Sequence, residues 1–224
     1  GKIKLFKNDL QSFTLLRFFG PQFLKYQGKA LIIDPDVFAL KDPSEIINYL
    51  KENESIACTF YNGKPRSEVM LVNCNKINWN FEKILSDLFN FKIDYSELMN
   101  LSFDRSLNIK ELDKNFNTHD KINPNTVLLH TTNRLTQPWK EGINIDFELH
   151  VSKKYKFKQI IKKLFGLIYN KNILEKTYQR HPDKKVIEKF KELFYFAKKI
   201  NFINDKEIDM SIKNNFFSTK FLEN

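Results

Sequence analysis

Glycine is scarce in this chain, which has only 6 among its 224 residues. Neither of the glycine-based phosphate loops, G-x-x-x-x-G-K-[ST] or G-x-G-x-x-G, occurs, and this excludes two common schemes for nucleotide binding. So few glycines also count against several domains joined by flexible linkers. Hydrophobic residues make up 42% of the chain, and the 22 phenylalanines argue against disorder.

Cysteine and long apolar runs are also missing. The 2 cysteines, Cys58 and Cys74, lack C-x-x-C spacing, which excludes a zinc framework and favours a reducing compartment. No apolar run approaches the roughly 20 residues of a membrane span, and no segment has the pattern of a secretory signal. These absences predict a cytoplasmic protein.

Positive charge is abundant but unevenly distributed. The net charge is +10, and residues 151–224 carry all of it, with 18 basic and 8 acidic residues. Only 5 of the 37 basic residues are arginine, whereas proteins that read nucleic-acid bases depend on arginine. We therefore expect no nucleic-acid partner.

Hydrophobic spacing predicts strands and helices that alternate in the first part of the chain. The predicted helices cover residues 9–27, 42–53 and 81–89, and the predicted strands cover 30–33, 55–61, 67–74 and 126–130. The run at 30–33 is typical of a strand covered on both faces. From residue 153 onward the pattern is helical, up to 186–199. This order indicates an α/β fold with a mostly parallel sheet and a helical C-terminal segment.

Polar side chains follow two of the apolar strands. "ALII" leads to Asp34 and Asp36, and "TVLL" leads to His130. Pro35 holds Asp34 in an extended conformation and ends strand pairing there. Ligands bind α/β sheets at the carboxyl ends of strands, and two oxygens with one imidazole suit Mn²⁺ better than an all-oxygen Mg²⁺ site. The alternative is an Asp-Pro-Asp turn with a structural histidine.

Three separated motifs carry a family resemblance. "FTLLRFFGPQFLKYQGKALIIDPDVFALKD", "SEVMLVNC" and "LLHTTNRLTQPWKEG" occur in that order, and "HPD" follows at 181–183. The chain resembles, from about residue 11 to its C-terminus, the nucleotide-sugar glycosyltransferases related to glycosyltransferase family 8. Those enzymes have a GT-A fold and a D-x-D metal motif.

The resemblance implies retaining transfer of a hexose from a nucleoside-diphosphate sugar, usually a UDP-sugar, with Mn²⁺ (or Mg²⁺). It implies a glycan or lipid-linked acceptor. By motif match, Asp36 is the more direct metal ligand, Asp34 lies nearer the ribose and sugar, and His130 completes the ligands. Arg17 occupies the place of an arginine that lies close to the donor.

The chain departs from the family pattern at several positions. Many members carry Lys-Pro-Trp after the metal histidine, and its lysine meets the diphosphate. Here Gln137, Trp139 and Lys140 are the matching donor-binding candidates, with the lysine displaced. Glu68 stands where the family has glycine. Members also carry a strand-helix-strand unit before the first helix, so we expect residues 1–150 to form a GT-A-like catalytic domain that lacks it.

Residues 151–174 contain seven lysines, no acid and six apolar residues at helical spacing. Such a cationic amphipathic helix binds an anionic membrane surface, peripheral to the inner membrane face, or packs on the sheet with its lysines in solvent. We expect 151–224 to be a helical extension packed on the first domain. Two alternatives to an enzyme remain: a catalytically inactive sugar-nucleotide or glycan-binding module of the same fold, and a basic interaction protein.

Overall fold

The computed structural model describes residues 13–146 and 177–223. The chain forms two compact units, Gly1–Thr132 and Asn133–Asn224, each with its own packed elements. The predicted boundary between residues 150 and 151 and the amphipathic segment 151–174 lie outside the described residues. The predicted division into domains 1–150 and 151–224, and the packing of the second on the first, therefore stay predictions.

The strands described in the first unit form two mixed sheets. They are β1 (Lys29–Ile33), β2 (Val37–Ala39), β3 (Ile56–Tyr61), β4 (Lys64–Asn73), β5 (Ile109–Glu111), β6 (Thr118–His119) and β7 (Leu128–His130). One sheet has the order β1-β4-β3-β5 and the other the order β2-β7-β6. The pairs β3–β5 and β6–β7 are parallel, whereas β1–β4, β3–β4 and β2–β7 are antiparallel. The predicted α/β class with mixed sheets is confirmed, but parallel pairing does not predominate among these strands.

A two-residue hairpin accounts for the antiparallel pairing at the centre of the larger sheet. Tyr61 pairs with Lys64 across Asn62 and Gly63, whose φ angles are 50° and 72°. Positive φ at both central residues defines a type I′ turn, which Asn-Gly sequences favour and whose twist matches that of the flanking strands. Strand β4 therefore returns beside β3 without a crossover helix.

Strand β4 lies at the centre of the core because both of its faces are buried. Successive side chains of a strand point to opposite faces, and Met70 and Val72 join one apolar cluster while Val69 and Leu71 join another. Among the described strands, β1, predicted to be covered on both faces, lies at one end of the larger sheet, and its side chains are partly exposed. Ala30 and Ile32 pack against one cluster and Leu31 packs against the other, so both faces are covered, although incompletely.

Short helices connect the strands of the first unit. The α-helices are α1 (Gly20–Phe23), α2 (Phe81–Phe89) and α3 (Tyr95–Met99). The 3₁₀ helices are Phe13–Phe19, Ser44–Tyr49, Cys74–Lys76 and Lys114–Phe116. Side-chain caps fix the starts of α2 and α3, at Asn80 and in a capping box between Asp94 and Glu97.

The predicted helix 81–89 is confirmed with its bounds, but two other predicted helices are shorter than expected. Residues 9–12 lie outside the described part, and the segment from Phe13 is a 3₁₀ helix before it becomes α1. Pro21 lacks the N–H that would bond to the carbonyl of Arg17, so a continuous α-helix is disfavoured there. The segment predicted at 42–53 forms only the 3₁₀ helix Ser44–Tyr49.

The second unit is helical in its described part. Its helices are α4 (Lys184–Lys199), α5 (Asp205–Lys213) and α6 (Thr219–Glu223), preceded by the 3₁₀ helices Arg134–Thr136 and Pro138–Lys140. Phe194, Ile208 and Phe221 form its buried apolar cluster. The predicted helix 186–199 is confirmed, although residues 177–183 are not helical. Across the described ranges, no helix is both long enough and apolar enough to cross a membrane.

Candidate functional site

The Asp34-Pro35-Asp36 segment links the two sheets of the first unit. Asp34 follows the last residue of β1, and Asp36 precedes the first residue of β2. Strand β2 pairs antiparallel with β7, so that Val37 lies opposite His130. The carbonyl of Asp36 accepts hydrogen bonds from both the N–H and the hydroxyl of Thr131, each at 3.1 Å. His130 is therefore brought to the two carboxylates by β2 and not by direct pairing of β1 with β7.

The three predicted metal ligands lie together. One ligand atom from each of Asp34, Asp36 and His130 falls within 4.8 Å of the others. The Nε2 atom of His130 lies 3.2 Å from Oδ1 of Asp36 and 3.8 Å from Oδ2 of Asp34. The side chain of His130 is 5% exposed and that of Asp36 is 25% exposed, so the group is most open to solvent at Asp36.

Arg17 holds both carboxylate oxygens of Asp34. Its Nε donates to Oδ1 of Asp34 at 2.6 Å, and its Nη2 donates to Oδ2. The Nη1 group of Arg17 donates to the hydroxyl of Ser67 at 2.9 Å and contacts the sulfur of Met99 at 3.3 Å. Burial raises the pKa of Asp34 above its ordinary value, and the positive charge and hydrogen bonds of Arg17 oppose that rise. Both oxygens of Asp34 are thus engaged, whereas Asp36 is the more accessible oxygen donor.

The second nitrogen of His130 is held by a buried amide. Nδ1 of His130 lies 3.0 Å from Oδ1 of Asn117. The amide nitrogen of Asn117 donates to the Oγ1 atom of Thr59 at 3.0 Å and to Oε2 of Glu68 at 3.1 Å. A neutral imidazole bonds to an amide oxygen at this place only through a protonated Nδ1, which would leave the lone pair on Nε2.

Glu68 is a buried carboxylate surrounded by donors. Arg66 donates to its Oε1 through Nε, at 2.9 Å, and through Nη2. His119 Nε2 lies 3.3 Å from its Oε2. Burial alone would raise the pKa of Glu68, but hydrogen bonds from His119, Arg66 and Asn117 hold that pKa well below its ordinary value. Glu68 is therefore an acceptor and carries negative charge at neutral pH.

A second group of potential ligands shares His130 with the first. Glu68, His119 and His130 also offer atoms within 4.8 Å of one another. Its imidazole donor would be Nδ1 of His130, which is 3.9 Å from Oε2 of Glu68 and already faces Asn117. The Asp34, Asp36 and His130 group uses Nε2, which faces the two aspartates and not Asn117, so it is the better cation site of the two.

The chemistry of this donor group fits a divalent cation of the Mn²⁺ type. Two carboxylate oxygens and one imidazole nitrogen form a mixed donor set, which suits Mn²⁺ better than Mg²⁺. The other imidazole nitrogen, Nδ1, faces the oxygen of Asn117, and such an outer acceptor is usual for histidine ligands of metals. Of the three side chains, that of Asp36 is the most exposed.

The residues predicted to bind the nucleotide-sugar donor, apart from Asp34 and Arg17, lie in the second unit. Lys140 places its Nζ 2.7 Å from Oδ2 of Asp146 and 3.2 Å from the hydroxyl of Tyr178. Burial, together with Asp146, raises the pKa of Tyr178. Trp139 packs on Phe190 with ring centroids 5.1 Å apart. The roles of these residues in donor binding stay predictions.

The remaining predicted donor-binding residue and the HPD motif have local backbone roles. The carbonyl of Gln137 accepts from the N–H of Lys140 at 3.0 Å, which closes the 3₁₀ helix Pro138–Lys140. In the HPD segment, the side chain of Asp183 caps α4 by accepting from the N–H of Lys185. The N–H of Asp183 in turn donates to Nδ1 of His181 at 3.1 Å.

Sequence reasoning missed the residues that surround the ligands. Ser67, Thr59, Asn117 and His119 complete the network, yet none of them was predicted to act in the site. Asn117 lies in a polar stretch that also contains asparagines 115, 123 and 125, so no local signal distinguishes it from its neighbours. His119 is identified only by the parallel pairing of β6 with β7, which sets it beside His130.

Comparison with protein-family models gives no match, and comparison with curated proteins gives none either. Among solved structures, the chain is similar to the apo form of the glycosyltransferase GlyE from Streptococcus pneumoniae TIGR4, at 17% identity and a TM-score of 0.44. This match covers 69% of the present chain and 46% of that one. A second crystal structure of GlyE matches at 18% identity and a TM-score of 0.44, over 68% of the present chain and 45% of the other. The chain thus spans less than half the length of the glycosyltransferase structures that it matches.

Proposed function

We propose that this chain has a GT-A-like fold and is a metal-dependent retaining glycosyltransferase. It moves a hexose from a nucleoside-diphosphate sugar, with UDP as the nucleotide, to a glycan or lipid-linked acceptor. The observation that carries this proposal is the convergence of Asp34, Asp36 and His130 within 4.8 Å of one another. The resemblance of three separated sequence motifs to family 8-related enzymes supports it.

Asp34, Asp36 and His130 would hold the cation, which is Mn²⁺ or Mg²⁺, with Asp36 as the more direct carboxylate ligand. A bound divalent cation neutralises the charge that develops on a leaving diphosphate, without any proton transfer. Asp36 reaches solvent and His130 keeps its lone pair on Nε2, so both can bind without rearrangement of the buried network. Oδ2 of Asp34 accepts from Nη2 of Arg17 and lies 3.8 Å from Nε2 of His130, and its second lone pair would face the cation.

Arg17 contributes a fixed positive charge next to the ligand group. Its side chain is 9% exposed and its guanidinium is held by Asp34, Ser67 and Met99, so its position is set before any donor binds. A fixed charge of this kind stabilises a developing negative charge without reorganisation during the reaction. Arg17 therefore acts close to the donor sugar, as the resemblance implies.

The carboxylates of the site do not favour a covalent glycosyl intermediate. Asp34 is engaged on both oxygens by Arg17, and Glu68 is held by Arg66 and Asn117. Retention of configuration then follows from displacement on one face of the sugar, with the leaving phosphate itself assisting the incoming hydroxyl.

Binding of Mn²⁺ and UDP tests the proposal directly. We expect Mn²⁺ together with UDP to raise the melting temperature of the whole chain, because a ligand at 100 times its dissociation constant stabilises by about 2.7 kcal/mol. The variant Asp36→Asn should lose this increase. Asp209→Asn, which makes the same charge change at an exposed position of α5, should keep it. An unchanged melting curve of the unmodified chain would overturn the proposal.

Turnover separates an enzyme from the alternative, an inactive sugar-nucleotide or glycan-binding module of the same fold. Glu68 favours that alternative, because a buried charged side chain stands where the family has glycine. The measurement is hydrolysis of a panel of nucleotide-sugars with Mn²⁺. Release of UDP from one donor, lost in Asp36→Asn, supports the transferase, whereas binding without turnover of any donor supports the module.

The Lys140, Trp139 and Gln137 segment and the basic segment 151–174 belong to the same proposal. We propose that Gln137, Trp139 and Lys140 contact the diphosphate of the sugar donor. We also propose that segment 151–174 binds an anionic membrane surface, where each lysine contributes about 1 kcal/mol. Flotation with vesicles that contain or lack anionic lipid tests the second point. Equal flotation with both kinds of vesicle would argue against membrane association.

A further inference from the structure

A chain of hydrogen bonds leads from Arg66, whose side chain is 41% exposed, to the candidate metal ligand His130. Arg66 donates to Oε1 of Glu68, at 2.9 Å from Nε. Oε2 of the same carboxylate accepts from Asn117 at 3.1 Å. The Oδ1 atom of Asn117 then lies 3.0 Å from Nδ1 of His130. Glu68, Asn117 and His130 are 9%, 7% and 4% exposed, respectively, so water does not compete for these bonds.

The carboxylate decides which way the amide of Asn117 points. An ionised carboxylate only accepts hydrogen bonds, so the NH₂ group of Asn117 must face Glu68. The hydroxyl of Thr59, 3.0 Å from the same NH₂ group, can donate or accept and therefore tolerates either orientation. The oxygen of Asn117 is left facing His130, and it requires a donor there.

We propose that Asn117 and Glu68 are positioning residues that hold His130 in the tautomer with its proton on Nδ1. Nε2 then keeps its lone pair for a cation held between it and Oδ1 of Asp36, 3.2 Å away. This inference rests on the proposed metal-dependent function and adds to it the residues that prepare the imidazole ligand. Outer partners of this kind typically change metal affinity by about 10- to 100-fold when they are altered.

The isosteric variant Glu68→Gln makes the inference testable, because it should reverse the orientation of Asn117. Arg66 requires an acceptor at the position of Oε1, so the oxygen of the introduced amide stays there and its NH₂ group takes the position of Oε2. That NH₂ group cannot accept from Asn117, so the amide of Asn117 turns over and presents its own NH₂ to Nδ1 of His130. We expect His130 to move its proton to Nε2, and Mn²⁺ to bind at least about tenfold more weakly.

A swapped pair should restore the original state. In the double variant Glu68→Gln with Asn117→Asp, the amide and the carboxylate exchange places while the number of charges is conserved. The NH₂ group introduced at position 68 then donates to one oxygen of the carboxylate introduced at position 117, and the other oxygen accepts from Nδ1 of His130. We expect the proton to return to Nδ1 and Mn²⁺ affinity to recover to within about threefold of the original, a margin set by the coupling between neighbouring substitutions. A purely structural role of Glu68 predicts no such recovery.

The experiment has two readouts. Long-range ¹H–¹⁵N spectra of the metal-free full chain, at a pH where the imidazole is neutral, report which nitrogen of His130 carries the proton. For this readout the chain and each variant also carry Asp36→Ala, because the carboxylate of Asp36 would otherwise compete for a proton on Nε2. Comparison with His130→Gln identifies its signals. Quenching of the electron paramagnetic resonance signal of free Mn²⁺ reports affinity. Glu45→Gln, the same substitution at an exposed residue, is the matched control and should leave both readouts unchanged.

A proton on Nδ1 in the unmodified chain, its transfer to Nε2 in Glu68→Gln and its return in the double variant support the inference. A proton on Nε2 in the unmodified chain, or on Nδ1 in Glu68→Gln, overturns it. Failure of the unmodified chain to bind Mn²⁺ overturns the proposed function instead, because the tautomer is measured without metal.

Discussion

Arg17 and Asp34 form a bidentate ion pair in the candidate site. Nε and Nη2 of the guanidinium each donate to a different oxygen of the carboxylate. Their side chains are 9% and 12% exposed. The pair joins the 3₁₀ helix Phe13–Phe19 to the end of β1, and so it links the first described helix to the Asp34-Pro35-Asp36 segment.

The first prediction concerns the loss of one partner of this pair. Arg17→Met should lower the free energy of unfolding by about 3–5 kcal/mol, because it leaves the buried carboxylate of Asp34 without its compensating charge. The measurement is equilibrium urea unfolding of the metal-free protein at neutral pH. The double variant Arg17→Met with Asp34→Asn should recover most of the loss. Equal stability of the single variant and the unmodified chain would contradict the prediction.

The second prediction concerns the hairpin between β3 and β4. Gly63 has a φ of 72°, and a Cβ atom placed there meets no atom within 4 Å, so only backbone conformation opposes a side chain. Gly63→Ala should therefore cost about 1–2 kcal/mol in the free energy of unfolding, the penalty for an L-residue in the left-handed region. Asn62→Gly should stay within about 0.5 kcal/mol of the unmodified chain. A neutral Gly63→Ala variant in urea unfolding would show that the turn is not held in this conformation.

The same hairpin shows where sequence reasoning succeeded and where it did not. The helix Phe81–Phe89 and the apolar strands were predicted because hydrophobic periodicity is a local property. Strand direction was not predicted correctly. The alternation of strands and helices suggested parallel pairing, whereas the turn at Asn62-Gly63 makes β4 antiparallel to β3. Asp34, Asp36 and His130 were predicted from their places after strands. Asn117 and Ser67 were not predicted. Asn117 contacts His130 across 13 positions of sequence and Ser67 contacts Arg17 across 50, and contacts between such distant positions leave no local pattern.

The third prediction concerns the thiols. Cys58 and Cys74 are each 0% exposed. Burial raises the pKa of Cys58 to about 12, and burial also raises the pKa of Cys74. Because only the thiolate attacks a disulfide reagent, neither residue should react in the folded protein at about pH 8, whereas both should react in denaturant. Rapid modification of one thiol without denaturant, measured by the absorbance of the thiolate that the disulfide reagent releases, would contradict this placement.

The fourth prediction uses the opposite pKa directions of the two buried acids. Hydrogen bonds hold the pKa of Glu68 below its ordinary value of 4.5. Its contribution to stability is therefore complete above that pH and lost as the pH falls below it. Burial raises the pKa of Asp34 above its ordinary value of 3.8. In this case protonation favours the folded state, so stability is gained as the pH falls through the folded-state pKa.

The two acids can be separated by urea unfolding between neutral pH and about pH 3, with variants that do not titrate. The difference in unfolding free energy between the unmodified chain and Glu68→Gln should shrink as the pH is lowered. The difference between the unmodified chain and Asp34→Asn should change in the opposite direction, in favour of the unmodified chain. Parallel pH profiles for all three proteins would mean that neither carboxylate is held as the structure places it, and the arrangement around His130 would then lose its electrostatic basis.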